Sequence, residues 1–342
     1  MLDPQVQLQG GELRFDGKVA VVTGAGRGLG REFALALAAR GAAVVVNDIG
    51  SSVDVQRYGA AAAADPAAEV VEIITARGGK ARANRASVAD PDGAASIVND
   101  ALSSFGGIDI VINNAGCLIL DEFEKLSVDA LMTTLEVHVK GAFQVSQRAW
   151  TPMRKQGGGR ILNVASLGGN VIGSMHHAAY DAAKGGLSGL TRSMAMEGEQ
   201  YGISVNGLFP GAKTRMLNKA VASVDQSISP ETSIDFGPEL VAPAACWLVH
   251  DECGLNGAFF HSSSGRIGRV FAGVAAGFQD DPTLFSPERI RDNRERAHSY
   301  EPYISPRTIQ EFNKFRIGMF RSVNTAKITP PGATENFVPG DL

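Results

Sequence analysis

Long hydrophobic runs are missing from this sequence of 342 residues. Its longest apolar stretches, such as VAVVTG and AAVVV, are far shorter than the roughly 20 residues that a membrane-spanning helix needs. Residues 1–16 also lack the succession of basic, apolar and small residues that marks a secretory signal, and they read as a polar lead-in. We therefore expect a cytoplasmic protein that has no membrane partner.

Cysteine is scarce and follows no recognisable pattern. Cys117, Cys246 and Cys253 are an odd number of residues without CxxC spacing, which argues against a disulfide framework and against a zinc site. The histidines are scattered, and the two adjacent ones, His176 and His177, would point apart on a helix or strand. No metal site is predicted.

Neither sign of charge dominates the sequence. The 32 basic and 36 acidic side chains leave a net charge of −4, and hydrophobic residues make up 44% of the chain. These values are ordinary for a globular protein and unlike those of a disordered chain or a nucleic-acid binder. No nucleic-acid partner is expected.

Short apolar runs rich in valine and isoleucine recur along the chain, at 18–23, 42–48, 109–113, 160–166 and 203–209. Continuous apolar character is typical of strands that are buried on both faces, as in a parallel sheet. Segments with helical periodicity lie between these runs, at 28–40, 66–77, 93–105, 126–150 and 178–199. This alternation predicts right-handed βαβ units, and hence an α/β fold with a doubly wound parallel sheet flanked by helices.

The pattern changes after about residue 262. Two later segments, 286–298 and 305–315, each begin with Ser-Pro, and serine as N-cap with proline at the first helical position is a helix-start signal. We therefore predict a helical C-terminal extension that ends in a loose polar stretch from about residue 325. The predicted domains are the lead-in 1–16, a main domain 17–262 and the extension 263–342.

A glycine-rich turn joins the first predicted strand to the first helix; it contains Thr23, Gly24, Gly26, Arg27, Gly28, Leu29 and Gly30. Glycines permit a tight turn and a close approach to a pyrophosphate, whose charge is favoured by the unpaired N–H groups at a helix start. Asp48 ends the second strand about 18 residues later, where a ribose-binding acid belongs. We predict a dinucleotide site; the alternative is a purely structural turn.

Asp48 also bears on which dinucleotide is bound. A 2′-phosphate beside this carboxylate would meet a repulsion of roughly 4 kcal/mol per pair of unit charges at 4 Å and an effective dielectric near 20. Arg27 favours the opposite choice because a guanidinium suits phosphate, although it can equally lie over the adenine or in solvent. We predict NAD as the cofactor in preference to NADP.

Tyr180 and Lys184 stand four residues apart in a run of small residues, so a helix places them on one face. A free tyrosine, with a pKa near 10, is only about one part in a thousand phenolate at pH 7. A neighbouring cation favours the phenolate and would lower the pKa of Tyr180. On these two residues alone, a surface pair is the alternative.

The glycine turn, Asn113-Asn114-Ala115-Gly116, Ser166 and Tyr180-x-x-x-Lys184 succeed one another in the order typical of one enzyme family. From about residue 17 to 262 the chain resembles the short-chain dehydrogenase/reductase family. The resemblance implies a Rossmann sheet, a nicotinamide cofactor and hydride transfer between a carbonyl and an alcohol. Tyr180 would be the general base or acid, helped by Lys184 and the oxidised nicotinamide, and Ser166 would hold the substrate oxygen.

The resemblance also implies further contacts with the cofactor. Lys184 would bind the nicotinamide ribose, and Thr214, after Pro210 and Gly211, would meet the carboxamide unless it caps a helix. Asn114, Ala115 and Gly116 would support the cofactor and the central sheet. Ser87 and Val88 stand where the family has an Asp-Val pair that touches adenine.

Two departures from the family pattern concern catalysis. His138 occupies the place of an asparagine that supports a proton relay, so we predict a catalytic role for His138. Ser166 precedes Tyr180 by 14 residues, one more than the commonest spacing, so the loop between them must absorb an extra residue.

Four stretches carry a narrower resemblance: VVVNDIGSS, ARGGKARAN, VHVKGAFQVSQRAW with its His138, and PELVAPAACWLVHDECGLNGAFF. In these the chain resembles the (3R)-hydroxyacyl-CoA dehydrogenase units of peroxisomal multifunctional enzymes, which are also described as 17β-hydroxysteroid dehydrogenases. The implied partner is a lipid-like small molecule such as a CoA thioester, in a homodimer or homotetramer. Leu167, Val171, Ile172 and Met175 would line an apolar substrate site or form loop core. The arginines in 289–296 would meet a CoA phosphate or form a solvated helix face or subunit contact.

Three alternative functions differ in what they require of the site. A hydroxysteroid dehydrogenase that acts on free steroid would use the same machinery. A redox sensor that binds NAD without turning it over could dispense with the base. A methyltransferase on a Rossmann sheet would leave Ser166, Tyr180 and Lys184 unexplained.

Overall fold

The computed structural model describes residues 11–50, 65–214 and 237–322. The chain divides into two compact units, Met1–Val270 and Phe271–Leu342. The predicted loose stretch from about residue 325 lies outside the described residues.

One sheet organises the described part of the first unit. Its strands are β1 Val19–Thr23, β2 Ala43–Asn47, β3 Lys80–Asn84, β4 Ile110–Asn113, β5 Gly159–Val164, β6 Ile203–Gly211, β7 Phe259–Ser263 and β8 Arg266–Val270. Their order is β3-β2-β1-β4-β5-β6-β7-β8, and every pair is parallel except β7 with β8. The direction of winding reverses between β1 and β4, which opens a crevice at the carboxyl ends of these strands.

The helices of the first unit that the structure describes cover both faces of this sheet. They are α1 Gly28–Ala39, α2 Pro66–Ala76, α3 Pro91–Phe105, α4 Val128–Leu135, α5 Gly141–Gln156, α6 Ala178–Gly198 and α7 Ala242–Leu248. Val22 of β1 packs in one core with Phe33 of α1, whereas its neighbour Val21 packs in another core with Ile97 of α3. Both faces of the strand are therefore buried, as its continuous apolar sequence predicts. The predicted doubly wound α/β fold is confirmed.

Two elements of the first unit differ from the sequence prediction. The strand β3, Lys80–Asn84, was missed because it is an edge strand of alternating burial and has no apolar run. The helix predicted over 126–150 is divided by a turn of π-helix at Glu136–Lys140, between α4 and α5. Such turns are frequent at functional sites.

The second unit contains short elements. A two-stranded antiparallel ladder joins β9 Val274–Ala275 to β10 Tyr303–Ile304, and the described helices are α8 Pro287–Asp292, α9 Arg294–Ala297 and α10 Ile309–Ser322. Among the described residues of both units, no helix is long and apolar enough to cross a membrane.

Of the two helix starts predicted for the second unit, one is confirmed and one is wrong. Ser286 caps α8 by accepting a hydrogen bond from Arg289 N, as predicted. The predicted start at Ser305 is wrong, because the Thr308 hydroxyl accepts from Glu311 N at the start of α10, while Ser305 Oγ donates to a backbone carbonyl.

The Arg289 guanidinium is already paired with a carboxylate, that of Asp280. This pairing favours a role for the arginine in the helix surface over a contact with a CoA phosphate.

Candidate active site

A cleft opens at the carboxyl ends of the central strands. The predicted site residues that line it are Gly24, Arg27, Gly28, Leu29, Asp48, Val88, Asn114, Ala115, Gly116, His138, Tyr180, Lys184, Pro210 and Thr214. Six other predicted site residues are not part of this lining, but each is next to a lining residue in the chain: Thr23, Gly26, Gly30, Ser87, Ser166 and Gly211. Segments from seven separate parts of the sequence thus meet in one place.

The shape of the glycine turn depends on the absence of side chains at Gly24 and Gly30. Gly24 has φ +62°, and a Cβ added there would lie 2.8 Å from Ala115 Cα. A Cβ on Gly30 would overlap the carbonyl oxygen of Gly24. Glycine at these positions lets α1 start directly against the end of β1.

Thr23 and Asn114 hold this turn to the loop after β4. The buried Thr23 Oγ1 accepts hydrogen bonds from Asn114 N at 3.0 Å and from Ala115 N at 3.1 Å. In return, Asn114 Nδ2 donates to Thr23 O and Gly24 O, both at 3.0 Å. Thr23 therefore shapes the cleft from behind.

Asp48 lies at the end of β2 and is tied to the same turn. Its Oδ2 accepts from Gly26 N at 3.0 Å, and its Oδ1 accepts from Gly50 N at 2.8 Å. The carboxylate is fixed beside the turn, and as part of the cleft wall it adjoins space for a ligand.

The start of α1 fits the pyrophosphate of a dinucleotide. Helices α2, α3 and α4 each have a side-chain cap, from Asp65, Asp90 and Ser127, whereas α1 has none at Arg27. Its first N–H groups therefore have no capping side chain from Arg27, the N-cap, and they lie at the cleft, where the helix dipole favours an anion.

Helix α6 carries Tyr180 and Lys184 into the cleft, as their four-residue spacing predicts. Lys184 Nζ lies 5.5 Å from the centroid of the Tyr180 ring and donates to Val164 O of β5 at 2.6 Å. Ser166, just after β5, makes a side-chain hydrogen bond with Tyr180. The three predicted catalytic residues are therefore neighbours.

Burial dominates the pKa values of the two side chains on α6. Burial raises the pKa of Tyr180 to about 12, although the hydrogen bond from Ser166 acts to lower it. Burial also lowers the pKa of Lys184 to about 7, so the same environment that opposes the phenolate weakens the neighbouring cation. The expectation that Lys184, helped by the oxidised nicotinamide, favours the phenolate stays a prediction, because these shifts describe the protein groups without the cofactor.

His138 projects from the π-helical turn into the cleft wall. Its Nε2 lies 3.1 Å from Cys117 N and 2.9 Å from Cys117 O, and its ring meets the Tyr180 ring edge-on at 5.5 Å. The buried Nδ1 has no hydrogen-bond partner within the described parts of the chain. Burial, with the charge of Lys184 second, lowers the pKa of His138 to about 3, so the imidazole is neutral.

Gly116 is required by this histidine. A Cβ added to Gly116 would overlap His138 Cε1. The glycine of the Asn-Asn-Ala-Gly motif thus makes room for the ring that replaces the family's asparagine.

The Ser87-Val88 pair contributes through its second residue. Val88 lines the cleft and packs against Gly141, where an added Cβ would lie 2.7 Å from Val88 Cγ2. Ser87 Oγ accepts from Ala89 N at 3.2 Å and so shapes the local turn.

Sequence reasoning missed several residues of this region. Asn47, Ile49, Cys117, Val137, Val164 and Ala165 also line the cleft. All of them are close in sequence to predicted residues, and all but Val137, in the π-helical turn, lie at or just after strand ends, which is a signal that the sequence offers. His177, whose ring lies 6.2 Å from that of Tyr180, and Asn170 depend on the path of a loop that the sequence pattern does not determine.

Comparisons with known proteins agree with this geometry. The family model described as short chain dehydrogenase matches residues 18–225. The chain is 38% identical over 338 residues to peroxisomal multifunctional enzyme type 2 of Mus musculus. That alignment covers 95% of this chain and 44% of the mouse protein, so the chain spans less than half of that relative's length.

Two solved structures are similar in fold. The crystal structure of a short chain dehydrogenase from Mycobacterium avium has a TM-score of 0.70 and 36% identity, with 84% of this chain and 98% of that chain covered. A 7α-hydroxysteroid dehydrogenase complexed with NADH and 7-oxo glycochenodeoxycholic acid has a TM-score of 0.64 and 32% identity, with 74% and 94% covered.

Proposed function

The chain belongs to the short-chain dehydrogenase family, and on that premise we propose that it oxidises the secondary alcohol of a 3-hydroxyacyl-CoA with NAD. Family membership makes it an oxidoreductase that acts on CH–OH groups. The observation that carries the proposal is the meeting of Ser166, Tyr180 and Lys184 beside the glycine turn.

Tyr180 moves the proton in this proposal. As the phenolate it accepts the proton of the substrate alcohol during oxidation, and as the phenol it donates that proton to the carbonyl oxygen during reduction. Ser166 donates a hydrogen bond to the substrate oxygen and stabilises its developing charge. Bound NAD supplies the hydride acceptor and a positive charge on its oxidised ring.

Lys184 and His138 prepare Tyr180 for this step. Lys184 lies over the Tyr180 ring and also binds the nicotinamide ribose in the proposal, with its ammonium held by the Val164 carbonyl. His138 presents a neutral ring to Tyr180 and so adds no competing charge. Its Nδ1, which has no hydrogen-bond partner among the residues that the structure describes, is the ring nitrogen available to a proton relay.

Asp48 supports NAD in preference to NADP. Both of its oxygens are oriented by backbone N–H groups, of Gly26 and Gly50, so the negative charge is fixed at the cleft. A fixed carboxylate accepts hydrogen bonds from ribose hydroxyls and repels a 2′-phosphate. Thr214, another residue of the cleft wall, is proposed to contact the carboxamide.

The substrate class is supported by the loop between Ser166 and Tyr180. Val171, Ile172 and Met175 expose 59%, 56% and 72% of their surface, so they are available to an apolar chain and do not form loop core. The similarity to a mouse peroxisomal multifunctional enzyme agrees with the resemblance to the hydroxyacyl-CoA dehydrogenase units of such enzymes and so supports an acyl-CoA. The similarity to the 7α-hydroxysteroid dehydrogenase supports free steroid as the second candidate. A cytoplasmic homodimer or homotetramer completes the proposal.

The experiment is an assay of the purified protein with NAD and separate panels of 3-hydroxyacyl-CoAs, hydroxysteroids and simple alcohols, followed by absorbance of the reduced nicotinamide. We expect turnover with 3-hydroxyacyl-CoAs and little with NADP. Turnover with steroids alone would favour the second candidate. Tight binding of NAD without turnover of any alcohol would contradict both and favour a redox sensor.

A further inference from the structure

The loop that follows Ser166 folds back onto helix α6. Gly169 N donates to Ile172 O at 2.9 Å, which closes the loop on itself. Gly169 has φ +74°, and an added Cβ would overlap the carbonyl oxygen of Asp181 on α6. The loop backbone therefore lies directly against the first turn of the helix that carries Tyr180 and Lys184.

One side chain of this loop reaches both sides of the catalytic group. The half-buried Asn170 donates from a single amide nitrogen to two carbonyl oxygens, that of Ser166 at 2.8 Å and that of Lys184 at 3.2 Å. Ser166 follows β5, and Lys184 lies in the second turn of α6. Asn170 thus joins the backbones of two proposed catalytic residues that come from different elements.

We infer that Asn170 is a positioning residue that holds Ser166 in register with Tyr180 and Lys184. The inference rests on the proposed function, because it concerns the geometry of the same catalytic group. Asn170 acts through Ser166 and does not itself take up the proton.

The contacts of Ser166 show why its register matters. Ser166 Oγ accepts from Gly168 N at 3.0 Å and makes the side-chain hydrogen bond with Tyr180, so its hydroxyl direction is determined by the local backbone. The bond to Tyr180 acts to lower the pKa of that phenol. If the Ser166 carbonyl is released, the backbone can rotate, the bond to Tyr180 lengthens and the phenol becomes harder to ionise.

A second anchor fixes the far end of the loop. Asp181 Oδ2 accepts from Ser174 N at 3.0 Å. Because this anchor is independent of Asn170, loss of the Asn170 amide should leave the loop attached to α6 while freeing Ser166.

A substitution at Asn170 must leave the other groups that face Tyr180 unchanged. They are Lys184 and Asp181 on α6, Cys117 after β4, His138 in the π-helical turn and His177 before α6. The substitutions Asn170→Ala and Asn170→Leu remove the donor without adding charge, and Leu also keeps a similar volume. The matched control is Asn99→Ala, on the exposed face of α3.

The test measures kcat, KM and the pH dependence of alcohol oxidation for both variants and the control. We expect kcat at pH 7 to fall about 10-fold to 100-fold, with KM and the Kd for NADH nearly unchanged, since small misplacements of catalytic groups have effects of this size. The acidic limb of the rate profile should move to higher pH, because ionisation of Tyr180 becomes harder. A residue that only supports the fold would lower the amount of active enzyme without moving this limb.

A second measurement does not depend on turnover. The ultraviolet absorbance of tyrosinate is titrated in each variant, and the contribution of Tyr180 is obtained by difference from the same variant with Tyr180→Phe. A higher pKa in both Asn170 variants than in the Asn99→Ala protein supports the inference, even if no alcohol proves to be a substrate. An unchanged pKa and rate profile would overturn it, and so would loss of folding and NADH binding in both variants. Failure of the wild-type protein to oxidise any alcohol would count against the proposed function alone.

Discussion

At Tyr180, burial has the largest effect on the pKa of the phenol, and the hydrogen bond from Ser166 opposes it. Burial raises the pKa of the phenol and at the same time lowers that of Lys184. Spacing in the sequence identifies the pair correctly, but it contains no information on how dry the site is. A buried cation is a weaker source of stabilisation than its charge alone suggests.

The specificity for NAD is a residue-scale prediction. Asp48→Asn keeps one acceptor oxygen, for either Gly26 N or Gly50 N, and removes the negative charge. We expect the preference for NADH over NADPH, measured as the ratio of their Kd values, to fall at least about tenfold, which corresponds to about 1.4 kcal/mol. Asp92→Asn, an exposed change of the same kind on α3, is the control and should leave the ratio unchanged. An equal ratio in the wild type and Asp48→Asn would show that this carboxylate does not discriminate.

His138 predicts how stability responds to acid. Its pKa is lowered from 6.5 to about 3 in the folded protein, so the unfolded chain takes up a proton first as the pH falls. Stability is therefore retained above pH 6.5 and lost between pH 6.5 and about 3. At pH 5.5 this linkage should cost about 1.4 kcal/mol relative to pH 8.

Denaturant unfolding at several pH values measures the loss of stability that is attributed to His138. His138→Asn should show a smaller loss of stability between pH 8 and 5.5 than the wild type, whereas the exposed His298→Asn should behave as the wild type does. Equal pH dependence in all three proteins would mean that His138 does not stay neutral on folding.

The residues that sequence alone identified share fixed spacing along the chain. Gly24, Asp48 and Tyr180 belong to motifs whose geometry is local, and the structure places all of them at the cleft. Asn170 was missed because its two acceptors lie 4 and 14 residues away along the chain and meet only when the loop folds back.

At the scale of elements, the π-helical turn and the loop after β4 depend on each other. Gly116 leaves the space that His138 occupies, and His138 Nε2 binds the backbone of Cys117, the next residue. An extra residue in a helix turn re-aims the side chains that follow. This explains how a histidine is accommodated where the family has asparagine.

A double-mutant cycle tests this dependence. Gly116→Ala should destabilise the protein by about 1–3 kcal/mol, since it overpacks a buried contact. In the His138→Ala background the same change should cost much less, because the clashing ring is gone. Gly189→Ala on α6, where an added Cβ meets open space, is the control and should not destabilise. Additive effects of the first two substitutions, read by denaturant unfolding, would contradict the contact.

The elements themselves were predictable where burial is uniform. The central strands were located within about two residues because both of their faces are buried. β3 was missed because an edge strand lacks this signal, and the turn at Glu136–Lys140 because a π-helical insertion leaves the apolar periodicity of the helices around it intact.

At the scale of the whole molecule, the cleft belongs to one unit. Its lining residues run from Gly24 to Thr214, all before the boundary between Val270 and Phe271. The family was recognised correctly from sequence because widely separated motifs converge on this cleft. The extension carries no such motif, so sequence predicted its helices and not its role.

A protein truncated after Val270 should therefore fold and bind NADH. The reason is that, among the described residues, the eight-stranded sheet, its three hydrophobic cores and the lining of the cleft all lie within the first unit. Circular dichroism measures the folding of the truncated protein, and fluorescence titration measures its Kd for NADH; both are compared with the full chain. A folded truncated protein whose Kd for NADH is raised more than about 100-fold, or roughly 2.7 kcal/mol, would show that the second unit supports the cofactor site.

The most direct measurement is turnover by Tyr180→Phe, which deletes only the hydroxyl, on whichever alcohol the wild-type protein oxidises. The account predicts that kcat falls about 10²-fold to 10⁴-fold, the range typical of a lost general acid or base, while the Kd for NADH stays nearly unchanged. Undiminished turnover by a Tyr180→Phe protein would contradict the central claim that this phenol exchanges the proton.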